Sequence, residues 1–147
     1  MARRSGLRPP KLLIRLTGRL QATVYRASGG RLLGRVGQAR VLVLTITGRR
    51  SGTPRTVPLL FIPDGERFVI VASQGGHDTH PAWYLNLRAH PDATVRIGAR
   101  VMPVTARDAD AAEAERVWPE LVAVYSRWEE YRLRTTRRFP IVFLSPR

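Results

Sequence analysis

The 147-residue chain contains no cysteine. That absence excludes disulfides, thiolate nucleophiles and cysteine-bound zinc or iron–sulfur centres, and it allows an intracellular setting. Redox work here would need a bound organic cofactor. Acidic residues are absent before Asp64, so residues 1 to 63 carry 12 Arg and Lys11 unopposed, whereas the remainder carries 12 Arg against 11 acids. The net charge of +14 is thus concentrated in the N-terminal part. Lysine is almost missing, with one Lys to 24 Arg, a preference that genomic coding bias also produces. No apolar run approaches the roughly 20 residues of a membrane-spanning helix, and Arg15 and Arg19 break up the early one, which argues against a signal peptide. Neither G-x-G-x-x-G nor G-x-x-x-x-G-K-[ST] occurs, removing the usual grounds for a dinucleotide or nucleotide triphosphate site. Internal repeats and low-complexity tracts are also absent.

What remains reads as one domain behind a basic extension. Residues 1–35 form that extension, and residues 36–147 form the body. Leu13, Leu16, Leu20 and Val24 fall on one stripe and predict an amphipathic helix from Lys11 to Ala27, ended by Gly29-Gly30. Such a helix either packs on its own domain or lies on an anionic membrane surface. The charge also attracts nucleic acid, but only nonspecifically, and no specific nucleic-acid partner is expected.

The body alternates short strands with turn chemistry. Strands are predicted at Ala39 to Thr47, Thr56 to Ile62, Phe68 to Ser73, Ala93 to Ile97, Arg100 to Thr105 and Phe139 to Leu144, with a turn at Pro63-Asp64-Gly65. A helix is predicted from about His80-Pro81, capped by Asp78 or Thr79. A second opens at Asp110 with Glu113 completing a capping box and runs to about Tyr125, and a short one follows over Arg127 to Arg134. The expected class is α+β, with mostly antiparallel strands in a small barrel and peripheral helices.

Three places carry chemistry. The hairpin tip, Gly48-Arg49-Arg50-Ser51-Gly52 followed by Arg55, joins three guanidinium groups to a hydroxyl and to N–H groups that its glycines are expected to leave open. It is either an anion site or a turn kept soluble by charge. Ser73-Gln74-Gly75-Gly76 before a helix suits an anionic or carbonyl-bearing ligand, although two glycines before a helix are common. Tyr125, Trp128 and Tyr131, at spacings of three, would share one helical face and either wall a planar ligand or pack in the core. His77 and His80 around Asp78 form at most part of a metal site, and none is expected. Ser73 with His77 lacks both a G-x-S-x-G elbow and a third member.

Several of these stretches together resemble a known family. Leu42 to Pro58 (LVLTITGRRSGTPRTVP), Val69 to Asn86 (VIVASQGGHDTHPAWYLN), Arg88-Ala89-His90-Pro91 and Val95-Arg96-Ile97-Gly98 resemble the deazaflavin-dependent nitroreductase and quinone reductase family. The likeness extends through Trp118 to Tyr131 and Arg137-Arg138-Phe139-Pro140. It implies a split β-barrel of the FMN-binding kind and coenzyme F420, an 8-hydroxy-5-deazaflavin, as hydride carrier to a quinone or nitroaromatic acceptor. Homodimers are compatible with it, as is a cytoplasmic protein that meets the membrane peripherally. By resemblance, Arg49, Arg50, Ser51 and Arg55 hold the phosphate and polyglutamate tail, while Thr56, Val57, Pro58, Leu59 and Leu60 run beside the ring. Val71, Ala72, Ser73 and Gln74 complete the cofactor cleft with Ala82, Trp83, Tyr84, Leu85 and Asn86. Tyr125, Trp128 and Tyr131 close over the substrate. Ser73 is the expected hydrogen-bond donor to the acceptor, and Tyr125 or Tyr131 the proton source. Leu60, Ser126, Trp128 and Thr136 depart from the family's habits, and Leu60 favours a quinone over a nitroimidazole. FMN is the less favoured cofactor. A non-catalytic lipid or tetrapyrrole carrier is the alternative function.

Overall fold

The computed structural model describes residues 35, 36 and 39–147. The expected helix over Lys11 to Ala27 lies outside the described residues. The strands are β1 (Arg35–Val36), β2 (Ala39–Thr47), β3 (Pro54–Asp64), β4 (Arg67–Val71), β5 (Asp92–Ile97), β6 (Arg100–Asp108) and β7 (Ile141–Pro146). The helices are α1 (Ala82–Ala89), α2 (Ala111–Val124) and α3 (Arg127–Arg132), and Gln74–Gly76 forms one 3-10 turn.

The pairing order β1-β2-β3-β4-β7-β6-β5 is antiparallel throughout, and β2 also pairs with β5 through Val43 and Arg96, Leu44 and Val95, and Thr45 and Thr94. The sheet closes on itself as a split β-barrel of β2 to β7. Closure leaves few open edges.

Period-two alternation decides which residues fill it. Leu42, Leu44 and Ile46 from β2, Ile70 from β4, Val95 from β5, Val104 from β6, and Val142 and Leu144 from β7 form the interior, closed by Tyr84 and Leu87 of α1. The alternate residues of β4 and β7, Val69, Val71, Ile141 and Phe143, face outward and make a second core with Val117 and Leu121 of α2 and Trp128 of α3. Burying a side chain such as Leu121 contributes about 1.5–3 kcal/mol, so this outer core fixes α2 and α3 against the barrel wall.

The β2, β3 hairpin and the order of elements agree with the sequence reading, while several boundaries shift. β3 runs to Asp64 and the turn falls at Gly65-Glu66, with Gly65 at φ 61°. β4 stops at Val71, leaving Ser73 at the N-cap of the 3-10 turn. The capping box at α2 forms with both arms, Glu113 N–H donating to Asp110 Oδ1 at 2.8 Å and Asp110 N–H to Glu113 Oε1 at 3.1 Å. At α1 the capping expectation fails. Pro81 occupies the cap position and no side chain accepts there, because Thr79 is engaged instead with Gln74.

Candidate functional site

The β2, β3 tip is self-contained. Gly48 N–H donates to Thr53 O and Gly52 N–H to Gly48 O, both at 2.8 Å, so the two glycine N–H groups expected to be open are used inside the loop. Ser51 Oγ lies 2.7 Å from Thr53 Oγ1 and accepts from Thr53 N–H. Gly52 has φ 68°, and a Cβ on Gly48 would come within 2.7 Å of Ser51 Oγ. What the tip presents outward is cationic, since Arg50, Ser51 and Arg55 are exposed. Arg49 has another role. Its backbone N–H and its Nη1 both donate to Asn86 Oδ1, at 3.1 and 2.8 Å, which docks the tip on α1.

Beside the tip, Thr56, Val57, Pro58, Leu59 and Leu60 are each half-buried, whereas the next residues of β3, Phe61 and Ile62, are buried. Val57 and Leu59 pack toward the barrel interior and Leu60 toward the other side, so both faces of β3 beside the tip stay partly open to solvent. The neighbouring expected residues divide by burial. Val71, Ala72, Tyr84 and Asn86 are buried, while Gln74, Ala82, Trp83 and Leu85 are half-exposed. Tyr84 turns into the barrel end, where its hydroxyl donates to Asp108 Oδ2 at 2.8 Å. Burial, followed by this hydrogen bond, pushes its phenol up to about 12.

The Ala72 to His80 loop is built by unusual backbone and distant contacts. Gln74, Gly75 and Gly76 have φ of 47°, 61° and 79°. The left-handed region costs a non-glycine residue such as Gln74 about 1–2 kcal/mol, and its side chain braces the loop through Nε2 to Thr79 O and Oγ1. Gly76 meets α3 so closely that a Cβ would lie 2.7 Å from Tyr131 O and 3.1 Å from Tyr131 Cα. Ser73 is 8% exposed, and its hydroxyl does not cap the 3-10 turn.

Arg137 is the residue that sequence reasoning missed. Its Nε donates to His77 O at 3.0 Å, Nη1 to Ala72 O at 3.0 Å and Nη2 to Ser73 O at 2.7 Å. Nη1 also lies 2.8 Å from His80 Nδ1, which must accept because a guanidinium only donates, leaving His80 neutral with its proton on Nε2. Burial first, then the charges of Arg137 and Arg88, hold His80 below its ordinary pKa. Its place in the Arg137-Arg138-Phe139-Pro140 stretch of the resemblance was the only sequence signal, and partners 57 to 65 residues away leave no local trace.

Tyr125, Trp128 and Tyr131 do meet, though not as one helical stripe. Tyr125 is the C-cap of α2, and the other two belong to α3. Tyr125 stacks edge-on against Trp128 at 5.2 Å, and the Tyr125 and Tyr131 hydroxyls lie 3.2 Å apart. Trp128 is only 4% exposed and packs in the outer core, so it supports Tyr125 from behind. Burial and the Tyr131 hydrogen bond push the Tyr125 phenol up to about 12, and Arg127 stands beside both hydroxyls. Because Gly76 seats the Ser73 loop on Tyr131, the hydroxyl-bearing loop and the phenol pair form one assembly.

Comparison with known proteins shows the family. Residues 17–146 match the family model described as F420H(2)-dependent quinone reductase. A Mycobacterium tuberculosis protein named F420H(2)-dependent quinone reductase is 37% identical over 135 residues, covering 88% of this chain and 89% of that one. A solved F420-H2 dependent reductase, FDR-A, is 36% identical with TM-score 0.67, covering 71% of this chain and 93% of its own. Another structure, described as a domain-swapped dimer, is 30% identical with TM-score 0.69, covering 86% of this chain and 96% of its own.

Proposed function

The chain belongs to the F420H(2)-dependent quinone reductase family, and on that premise we propose that it reduces a quinone with a hydride taken from reduced coenzyme F420. The observation that carries the reading is the junction just described. The tip carries exposed Arg50 and Arg55, and the loop that holds Ser73 seats through Gly76 on Tyr131, whose hydroxyl pairs with that of Tyr125. When bound, coenzyme F420 supplies the hydride, from carbon 5 of its ring.

The protein's own residues supply binding, orientation and the proton. Arg50 and Arg55, with the Ser51 hydroxyl, hold the phosphate and acidic tail, since guanidinium groups pair with such oxygens in bidentate fashion. Arg49 keeps the tip at its angle to α1 through Asn86. Thr56 to Leu60, the backbone of Val71 to Gln74, and the half-exposed Ala82, Trp83 and Leu85 bound the ring. Tyr84, Asn86 and Trp128 support that wall from the protein side. Quinone reduction consumes one hydride and one proton, and negative charge collects on the quinone oxygen until the proton arrives. The Ser73 hydroxyl donates a hydrogen bond to that oxygen, and a fixed donor of this kind stabilises charge as it develops. Tyr125, with its raised pKa, keeps its proton at neutral pH and acts as a donor to Tyr131. Tyr131 passes the proton to the oxygen and is replenished through the paired hydroxyl.

A nitroaromatic is the second acceptor class proposed, with the same donors facing a nitro oxygen. The proposed assembly is a homodimer, by analogy with the domain-swapped neighbour, and sedimentation reads it directly. Among the described residues no helix is long and apolar enough to cross a membrane. We place the protein in the cytoplasm, with residues 11–27 resting on anionic lipid. Deleting residues 1 to 35 should then reduce liposome binding and leave menadione turnover largely intact.

The function is tested by fluorescence titration with oxidised F420 and separately with FMN, followed by anaerobic addition of menadione to enzyme loaded with the reduced deazaflavin. Tight F420 binding with menadione-dependent reoxidation supports the assignment. Binding of neither ring removes it and favours a lipid or tetrapyrrole carrier. Ser73→Ala should lower kcat by about tenfold or more while leaving F420 affinity close to wild type, and unchanged kcat would remove Ser73 from the chemistry.

A further inference from the structure

We propose that Arg137 is a positioning residue for this reaction, acting through Ser73, and that His80 makes its hold on the Ser73 loop pH-sensitive. The inference rests on the reductase reading for its kinetic part, but its structural part stands on contacts in the protein alone.

Four hydrogen bonds leave one guanidinium in diverging directions, to Ala72 O, Ser73 O, His77 O and His80 Nδ1. Together they grip both ends of the loop. The segment after Arg137 adds a further tie, since Ala72 N–H donates to Pro140 O at 2.9 Å, and the guanidinium stacks over Phe139 at 4.8 Å. Holding the carbonyls of Ala72 and Ser73 fixes the peptides on which the Ser73 side chain stands. A shift of about 1 Å in such a group can cost a hundredfold in rate. The fork is needed for the grip, because a lysine ammonium is a single point that cannot reach four acceptors spread around a loop. The same charge lies one peptide from the hydroxyl and favours negative charge on the acceptor oxygen.

His80 completes the hold only while neutral. Its surroundings are Arg137 from the segment before β7, Tyr84 and Arg88 from α1, and Asp108 from β6, with Asp78 of its own loop acting on Arg137. Two arginines against one distant carboxylate make a second cation here unfavourable. Protonating Nδ1 removes the acceptor and sets imidazolium against guanidinium, so the loop loosens at acid pH. The folded-state pKa of His80 is depressed, so the contact is fully present above the ordinary histidine value and is lost as pH falls through the lower folded value.

The test uses full-length wild type, Arg137→Lys, Arg137→Ala and His80→Asn, whose Oδ1 replaces the lost acceptor without titrating. In ligand-free protein, the His80 ring protons followed by NMR should titrate below pH 6.5 in wild type and at higher pH in Arg137→Ala. The amide protons of Gly76 and His77, which close the turn onto Ser73 O and Gln74 O, should exchange slowly in wild type and quickly in Arg137→Ala. In loaded enzyme, Arg137→Lys should lose on the order of 30-fold in kcat for menadione with F420 affinity nearly unchanged, because the tip is untouched. His80→Asn should keep neutral-pH turnover and lose the acid limb of the kcat profile. Wild-type kcat in Arg137→Lys, or an unaltered acid limb in His80→Asn, would overturn the proposal. So would a His80 titration indifferent to Arg137→Ala. If wild type fails to bind F420, the reductase reading falls, while the NMR and exchange results still decide whether Arg137 and His80 hold the loop.

Discussion

Two glycine-bearing loops of the molecule are held in opposite ways. The tip between β2 and β3 closes on itself, through Gly48 and Gly52 N–H groups and the Ser51, Thr53 hydroxyl pair, and meets the rest of the molecule through Arg49 and Asn86. The Ala72 to His80 loop is held chiefly from elsewhere, by Arg137 near the C-terminus and by the close seat of Gly76 on Tyr131. The difference matches the division of labour proposed. A tail-binding loop needs exposed charge and tolerates some play, whereas a loop that aims a donor at a reacting oxygen needs its position over-determined.

Breaking the second loop should have the larger effect. Gly76→Ala places a Cβ against Tyr131 backbone and forces alanine to φ 79°, so it should cost about 2–4 kcal/mol of stability from strain and overpacking. Thermal unfolding measures the cost, and menadione turnover in the surviving folded protein should nearly vanish because Ser73 and Tyr131 are driven apart. Disturbing the tip should act on binding alone. Arg50→Ala and Arg55→Ala should each weaken F420 by roughly tenfold at low salt, less at high salt, with kcat at saturation unchanged. Fluorescence titration at two ionic strengths reads both statements.

A smaller effect sharpens the comparison from outside the site. Asp64 accepts from Arg116 and Arg67, and Glu113 accepts both arms of Arg107 and lies 3.6 Å from Arg67, tying the β3, β4 turn to α2. The Arg116 and Arg67 hydrogen bonds hold Asp64 below its ordinary pKa, and Arg107, then the Asp110 N–H, bring Glu113 down to about 2. Depressed carboxylates stabilise the fold above their unfolded values and lose that contribution as pH falls toward the folded ones. The melting temperature should therefore decline from about pH 5 to pH 2, and Glu113→Gln should flatten the decline. Neutral-pH turnover should hardly respond, because this network supports α2 rather than the Ser73 loop.

The same contrast sets what the sequence discloses. The hairpin tip, the capping box at Asp110 and Glu113, and the period-two strands all rest on neighbours within a few residues, and each is legible. Barrel closure through β2 and β5 is less so, and the resemblance supplied it. Arg137 could not be found from pattern at all, since its partners are distant in the chain. The Tyr125, Trp128 and Tyr131 spacing suggested a single stripe, but the break between α2 and α3 at Tyr125 turns Trp128 into the core and leaves the two hydroxyls paired. Burial of Tyr84 and Asn86 was hidden for a similar reason. Polar tips on helix α1 read as cleft-facing until Asp108 and Arg49 show where they point.

The division between binding and chemistry is tested most directly by single-turnover oxidation of the loaded, reduced enzyme by menadione. Rate and F420 dissociation constant would be compared for an Arg50→Ala, Arg55→Ala double variant and for Ser73→Ala. The double variant should bind F420 about a hundredfold more weakly yet react at the wild-type rate once saturated, while Ser73→Ala should bind normally and react at least tenfold more slowly. A saturated double variant as slow as Ser73→Ala, or a Ser73→Ala enzyme impaired only in binding, would contradict the division.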